Sequence, residues 1–197
     1  MGKTRLEAFS DGVIAIIITI MVLELRAPHD DTLSALLPLI PIFLSYVLSF
    51  VYVGIYWNNH HHMLHTVATV TGATLWANLH LLFWLSLIPF TTAFMGENHF
   101  TSLPAALYGA VLFMCAVAYF VLQQSIIRVQ GRDSPLKAAI GGDWKGKLSP
   151  VLYLAAIAIS FLLPPLALAI YVLVAVFWLV PDRRIERYTT SGVKPPM

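Results

Sequence analysis

The chain has 197 residues, of which 58% are apolar and 11% are charged, with a formal net charge of +2. An ordinary soluble domain carries about 25% charged residues, so this composition excludes a soluble globular protein and predicts an integral membrane protein of one domain. The single cysteine, Cys115, also excludes a disulfide framework and a cysteine-based metal motif.

The first predicted span covers residues 5–26 and begins with a polar cluster that runs directly into an apolar segment. Thr4 and Glu7 are three residues apart and are predicted to form a capping box at the start of this helix. The apolar segment contains Thr19 and ends without a small-residue cleavage site. This pattern favours a retained helix over a cleaved signal peptide.

Five more apolar segments follow and predict spans at about 36–62, 74–94, 103–128, 150–163 and 165–181. Ser149 and Pro150 predict an N-cap followed by proline at the first helical position. Pro164-Pro165 removes two backbone donors and predicts a turn between two short helices, the alternative being one long kinked helix. The prediction is thus an all-α membrane protein with one six-helix domain at 1–188 and a mobile tail at 189–197.

The basic residues orient this predicted bundle. Eleven of the twelve Lys and Arg residues lie in the two termini or in the loops after the second and fourth spans, and only Arg26 lies in the other loops. With an even number of spans, those termini and loops share one side of the membrane. The positive-inside rule therefore predicts that both termini are cytoplasmic.

One stripe of the first helix combines polar and small residues with β-branched and other aliphatic residues. It contains Asp11, Gly12, Ala15, Ile16, Thr19, Ile20 and Leu23. The alternative is a plain packing face, with Thr19 bonded to its own i−4 carbonyl. Asp11 favours an ion pathway, because a carboxylate one turn into a span needs water, a cation or a hydrogen-bond donor. Arg5 is six residues away, so the expected donors are Trp57, His60 or Asn78 on neighbouring helices.

Histidines cluster at the end of the second predicted span, at His60, His61, His62 and His65. His61 and His65 have a spacing that can share a metal, but no cysteine or carboxylate stands nearby in the sequence. This favours an interfacial polar cap, with pH modulation as a further hypothesis. No nucleophile elbow, phosphate-binding loop or dinucleotide motif is present, so we predict no enzyme and no catalytic residue.

Several motifs together resemble the transmembrane protein 175 family of potassium channels. They are Arg5-x-x-x-Phe9-Ser10-Asp11-Gly12, Trp57-x-x-His60-His61, Trp76-x-Asn78 and Ile88-Pro89-Phe90-Thr91. The resemblance covers all six predicted spans. It implies a cation channel that favours K+ and has no carbonyl filter, a homotetramer like other single-repeat prokaryotic members, and a central pore lined by helix 1 of each subunit.

The resemblance also implies roles for particular residues. The narrowest aliphatic ring of the pore maps to Ile16, the hydroxyl-bearing pore position to Thr19, and a further aliphatic ring to Ile20 or Leu23. An apolar neck of this kind gates by excluding water. The motif residues implied to hold helix 1 against helices 2 and 3 are Arg5, Phe9, Ser10, Asp11, Gly12, Trp57, His60, Trp76 and Asn78.

We therefore predict a K+-permeable, cation-selective channel with a hydrophobic constriction, located in the bacterial inner membrane. Its expected partners are the lipid bilayer and further copies of itself. The only small molecules that it is expected to handle are monovalent cations, with no cofactor, metal site or nucleic-acid partner. One alternative is a proton-coupled secondary transporter that uses Asp11 and the histidines of helices 2 and 3. Another is a membrane enzyme or metal-binding protein centred on His60–His65.

Overall fold

The structure is a computed structural model that describes residues 2–179, and these residues form nine α-helices with no strand among them. The helices are α1 (Lys3–Leu23), α2 (Leu33–Leu36), α3 (Ile40–His65), α4 (Gly72–Ser86), α5 (Ile88–Glu97), α6 (Ser102–Gln130), α7 (Pro135–Ile140), α8 (Trp144–Ser160) and α9 (Pro164–Leu179). A short 3₁₀ turn, Leu37–Leu39, joins α2 to α3. The prediction of an all-helical fold is confirmed for this part of the chain.

Four segments are long and apolar enough to cross a membrane: Lys3–Leu23, Leu33–His65, Gly72–Glu97 and Ser102–Gln130. The third contains α4 and α5, which are separated at Leu87. α9 is a shorter apolar helix of 16 residues. The count of six spans therefore stays a prediction, and its last boundary at 181 and the tail at 189–197 lie outside the described residues.

α1 begins at Lys3, so the predicted capping box is wrong. The N-cap is Gly2, no side chain caps the helix, and Thr4 lies within the first turn. Glu7 instead pairs with Lys3, with 3.8 Å between the carboxylate and the ammonium group. Lys3 Nζ also donates to the carbonyl oxygen of His65 at 2.8 Å. The start of α1 is thus hydrogen-bonded to the end of α3 rather than capped by its own side chains.

α8 begins at Trp144, so the predicted N-cap at Ser149 and Pro150 is also wrong. The N-cap is Asp143, whose Oδ1 accepts a hydrogen bond from the Gly146 amide at 3.1 Å. Pro150 lies inside the helix, and Ser149 Oγ donates to the Lys145 carbonyl. The aspartate side chain accepts a hydrogen bond from a backbone N–H upstream of Ser149 that would otherwise be unpaired. The helix therefore starts before the Ser-Pro pair. A turn at 161–163 then precedes Pro164.

The first hydrophobic core joins α1 to α3, α4 and α6. Its fully buried side chains include Ile14, Met63, Leu81 and Leu85. Close backbone approach also brings α5 against α3, since a Cβ on Gly96 would lie 2.8 Å from Ile42 Cα. α1 is therefore held on one side by a packed bundle.

The second core contains a cluster of buried tyrosines from α3, α6, α8 and α9. Tyr52 Oη donates to the Tyr171 carbonyl at 2.6 Å, and Tyr171 Oη donates to the Ala105 carbonyl at 3.1 Å. The rings of Tyr108 and Tyr153 pack against these two. Each buried hydroxyl that reaches a carbonyl avoids the cost of an unpaired polar group.

Candidate functional site

The two sides of α1 have different surroundings. Leu6, Ser10, Ile14, Ile17 and Met21 are buried against the rest of the chain. The predicted pore positions lie on the other side, where the side chain of Ile16 is 57% exposed, that of Ile20 43% and that of Leu23 74%. Gly12 and Thr19 are exposed too. From Gly12 to Leu23, the predicted stripe is therefore largely exposed rather than packed against residues 2–179.

Thr19 bonds locally rather than to another helix. Its Oγ1 donates to the carbonyl oxygen of Ile16, three residues earlier, at 2.9 Å. Because the hydroxyl proton is used in this bond, the oxygen lone pairs remain available to accept. An exposed hydroxyl held in this way can offer an oxygen ligand to a cation beside the helix.

An open groove of 640 Å³ separates α1 from α5. Its α1 wall contains Ile16, Ile20 and Glu24, and its α5 wall contains Pro89, Phe90, Phe94 and Glu97. The rings of Phe90 and Phe94 stack with centroids 6.2 Å apart. Glu24 and Glu97 both lie where these helices end, so two carboxylates mark one end of an apolar groove.

Asp11 is held by α3. Trp57 Nε1 donates to Asp11 Oδ1 at 3.1 Å, and this contact is solvent-exposed. Of the three donors expected for Asp11, Trp57 is the one that the structure places against it. Arg5 is exposed and makes no side-chain hydrogen bond or ion pair within residues 2–179.

His60 and Asn78 form a separate, buried network with Ser10. His60 Nε2 lies 2.7 Å from Asn78 Oδ1, Asn78 Nδ2 donates to Ser10 Oγ at 2.9 Å, and Ser10 Oγ donates to the Leu6 carbonyl at 2.9 Å. All three side chains are at most 1% exposed. An amide oxygen only accepts, so His60 carries its proton on Nε2 in this arrangement. The network ties α1, α3 and α4 together through these three side chains.

Other motif residues are not brought into this network. Phe9 is 48% exposed, and Trp76 is 75% exposed on the outer side of α4. A Cβ added to Gly12 would meet no atom within 4 Å. These three positions face away from the core of the chain.

The remaining histidines line the outer surface of α3 near its end. The rings of His61 and His65 have centroids 5.4 Å apart, and the ring of His61 also lies near Trp57. Within residues 2–179 there is no group of three or more histidine, cysteine or carboxylate side chains placed to hold a metal. Two imidazoles on successive turns are fewer ligands than a structural metal site uses.

The residues of α5 that line the groove were not predicted from the sequence. Phe90 and Phe94 are four residues apart and the acidic Glu97 follows them, a spacing that places all three along one side of a helix. This signal was present in the sequence, but a single helix does not reveal which neighbour stands opposite.

The chain matches known proteins along most of its length. Residues 5–89 match a family model described as the endosomal/lysosomal potassium channel TMEM175. The chain is 55% identical over 187 residues to a potassium channel of Chryseobacterium sp. (strain P1-3), covering 95% of this chain and 97% of that protein. It is also 31% identical to a potassium channel of Streptomyces collinus, covering 88% and 90% of the two chains.

The fold matches a crystal structure as well. That structure is a lysosomal potassium-selective channel TMEM175 homolog from Chamaesiphon minutus. The match has a TM-score of 0.80 at 28% sequence identity and covers 91% of this chain and 97% of the other. The similarity therefore extends over the whole helical bundle rather than over one motif.

Proposed function

This chain belongs to the TMEM175 family of potassium channels, and we propose that it conducts K+ through a central pore lined by α1 of several identical copies. The observation that carries the proposal is the stripe of α1 that is exposed within residues 2–179 and contains Ile16, Thr19, Ile20 and Leu23. In a tetramer with α1 innermost, this stripe faces the symmetry axis.

Ile16 forms the neck of this pore. Four symmetry-related isoleucine side chains leave a narrow apolar ring, which opposes ion passage by excluding water rather than by binding ions. Thr19 follows one turn later, and its oxygen replaces part of the hydration shell of an ion while its O–H group donates to the Ile16 carbonyl oxygen. Ile20 and Leu23 continue the aliphatic wall.

The groove between α1 and α5 holds part of a neighbouring copy. Its walls are apolar along most of their length, through Ile17, Ile20, Phe90 and Phe94, and its volume of 640 Å³ is open to the outside of the chain. Packing a second copy here buries aliphatic and aromatic surface and brings the α1 helices around a common axis.

Carboxylates supply the preference for cations over anions. Asp11 lies towards the N-terminal end of α1, and Glu24 and Glu97 lie at the opposite end of the groove. Negative charges at both mouths raise the local concentration of cations. The hydrogen bond from Trp57 orients the Asp11 carboxylate and leaves its negative charge in place.

Residues 2–179 form one membrane domain in this proposal, with α8 and α9 as the fifth and sixth spans. Both termini are cytoplasmic, and the channel resides in the inner membrane of a bacterium. The distribution of basic residues supports this orientation. The match to bacterial potassium channels over 88–95% of the chain supports the location.

Planar-bilayer recording of the purified protein under a K+/Na+ gradient tests the proposal. We expect unitary currents with a reversal potential on the K+ side, and we expect Ile16→Asn to raise conductance and weaken selectivity. Ile20→Asn is the matched control one turn along the helix. If only Ile20→Asn has these effects, the neck is at Ile20, whereas proton-coupled uptake without unitary currents would contradict a channel altogether.

A further inference from the structure

A second cavity, of 80 Å³, lies on the far side of α3 from α1, between α3, α6 and α8. In this region α3 and α6 are bridged by side chains rather than by close backbone packing, for example where Tyr119 Oη donates to the Asn59 carbonyl at 3.2 Å. It shares no lining residue with the groove beside α1. The conduction pathway proposed above therefore leaves this cavity without a role.

The cavity contains a carboxylate, Asp143, that forms no ion pair with a basic side chain of residues 2–179. Asp143 accepts the Gly146 amide at 3.1 Å through Oδ1 and a long hydrogen bond of 3.4 Å from Gln123 Nε2 through Oδ2. None of the described residues that line the cavity is a lysine, arginine or histidine. A partly buried carboxylate that makes no direct ion pair within residues 2–179 favours a cation in the adjoining space.

The two side-chain amides of the lining also present acceptors to the cavity. The Asn59 amide nitrogen donates to the Ile55 carbonyl at 2.8 Å, and the Gln123 amide nitrogen is directed to Asp143. Their oxygens, Asn59 Oδ1 and Gln123 Oε1, accept no hydrogen bond from residues 2–179. No side-chain polar atom in this part of the chain is both sealed from solvent and unpaired, so these two oxygens contact open space. A ligand that contacts these two oxygens therefore donates hydrogen bonds to them.

Aromatic rings form most of the remaining wall. Tyr56, Tyr119 and Tyr153 line the cavity together with Trp178, and the rings of Tyr56 and Tyr119 meet edge to face with centroids 6.1 Å apart. Aromatic faces attract cations, and they favour organic ammonium groups that can be stripped of water over strongly hydrated metal ions.

We propose that this cavity binds a small organic cation, specifically a short-chain primary ammonium ion. Its charge faces Asp143, its N–H groups donate to the oxygens of Gln123 and Asn59, and its alkyl part lies against the tyrosine rings. The volume sets the size, because a cavity that holds benzene measures about 150 Å³. An 80 Å³ cavity takes an ion of two or three carbon atoms.

Binding of ethylammonium chloride to the full-length protein in lipid nanodiscs tests this site, with saturation-transfer NMR as the readout. We expect saturable binding to the wild type and at least about tenfold weaker binding to Asp143→Asn, since a hydrogen bond to a charged group is roughly twice as strong as a neutral one. Asparagine keeps the side-chain cap of α8 and tolerates the positive φ of 37° at this position. Asp133→Asn makes the same charge change at an exposed site outside the cavity and should bind like the wild type.

Probes of other charge and size complete the experiment. Ethanol is the neutral analogue and tetraethylammonium exceeds the cavity, so neither should compete with ethylammonium for the wild type. Ile16→Asn should leave binding unchanged, which separates this site from the pore. Equal binding to Asp143→Asn and the wild type, competition by ethanol, or no saturable binding of ethylammonium would each overturn the proposal, and the probe comparison holds even if Asp143→Asn fails to fold.

Discussion

The inner and outer faces of α1 differ in burial more than in composition. Both are rich in isoleucine, yet Ile14 is 1% exposed and Ile16 is 57% exposed, two residues apart on the same helix. The inner face carries one hydroxyl, Ser10, which is fully enclosed in a network of hydrogen bonds. The outer face carries Thr19, whose hydroxyl bonds only to its own helix.

This contrast separates folding from conduction within one element. The inner face has its packing partners inside the chain, so its side chains stabilise the folded subunit. The outer face is largely exposed within residues 2–179, so its side chains contribute little to the stability of one subunit and are available to line a pore. Substitutions on the two faces should therefore change different measurable properties.

The largest expected effect is on the inner face. Ile14→Ala should lower the free energy of unfolding by about 3 kcal/mol, because it removes buried methyl groups and leaves a cavity in the first core. Ile16→Ala makes the same chemical change on the outer face and should alter the free energy of unfolding by less than about 0.5 kcal/mol. Unfolding in mixed micelles on titration with SDS measures both.

In single-channel recording, the same two substitutions should show the opposite ranking: Ile16→Ala should have the larger effect. Ile16→Ala should widen the neck and raise unitary conductance, while folded Ile14→Ala should conduct like the wild type. Equal destabilisation by the two variants would contradict the separation of the two faces.

A smaller effect is expected for the network behind the inner face. Asn78→Ala removes the acceptor of His60 Nε2 and the donor to Ser10, and leaving a buried N–H unpaired costs about 2 kcal/mol. Leu79→Ala, at the next and more exposed position of α4, is the control and should cost less than 1 kcal/mol, on the order expected for surface sites. SDS titration again supplies the free energies of unfolding.

Measuring the unitary conductance of Asn78→Ala tests whether this network affects only the stability of the fold. Asn78 lies behind α1, so folded Asn78→Ala should keep the unitary conductance of the wild type. A changed conductance at unchanged stability would show that the network acts on the pore directly, and that the inner face is not confined to holding the fold.

The stripe on α1 could be predicted because periodicity is a local property of one helix. Gly12, Ile16, Thr19, Ile20 and Leu23 share a side at 3.6 residues per turn whatever surrounds the helix, and all five lie on the exposed side of α1. The apolar segments and the turn at 161–163 before Pro164 are local in the same sense, since they follow from composition and proline chemistry.

Choices between competing partners could not be predicted. Trp57, His60 and Asn78 all offered donors to Asp11, and only the packing of α3 and α4 against α1 assigns Trp57 to it. The predicted start of α8 was wrong for a related reason, because Asp143 rather than Ser149 caps this helix. The groove beside α5 and the cavity at Asp143 depend on spaces between helices, which no single segment encodes.

The smallest expected effect in free energy, and the most direct test of the outer face, is at Thr19. Thr19→Val keeps the shape of the side chain and removes only the hydroxyl, so stability should change by less than about 0.5 kcal/mol. The K+/Na+ permeability ratio should fall roughly twofold, because one neutral hydrogen-bonding group contributes about 0.5 kcal/mol in net terms. Thr19→Ser retains the hydroxyl and should keep the ratio, as measured from reversal potentials under bi-ionic conditions. If valine and serine behave alike, the oxygen of Thr19 does not contact the ion, and selectivity depends on the aliphatic rings alone.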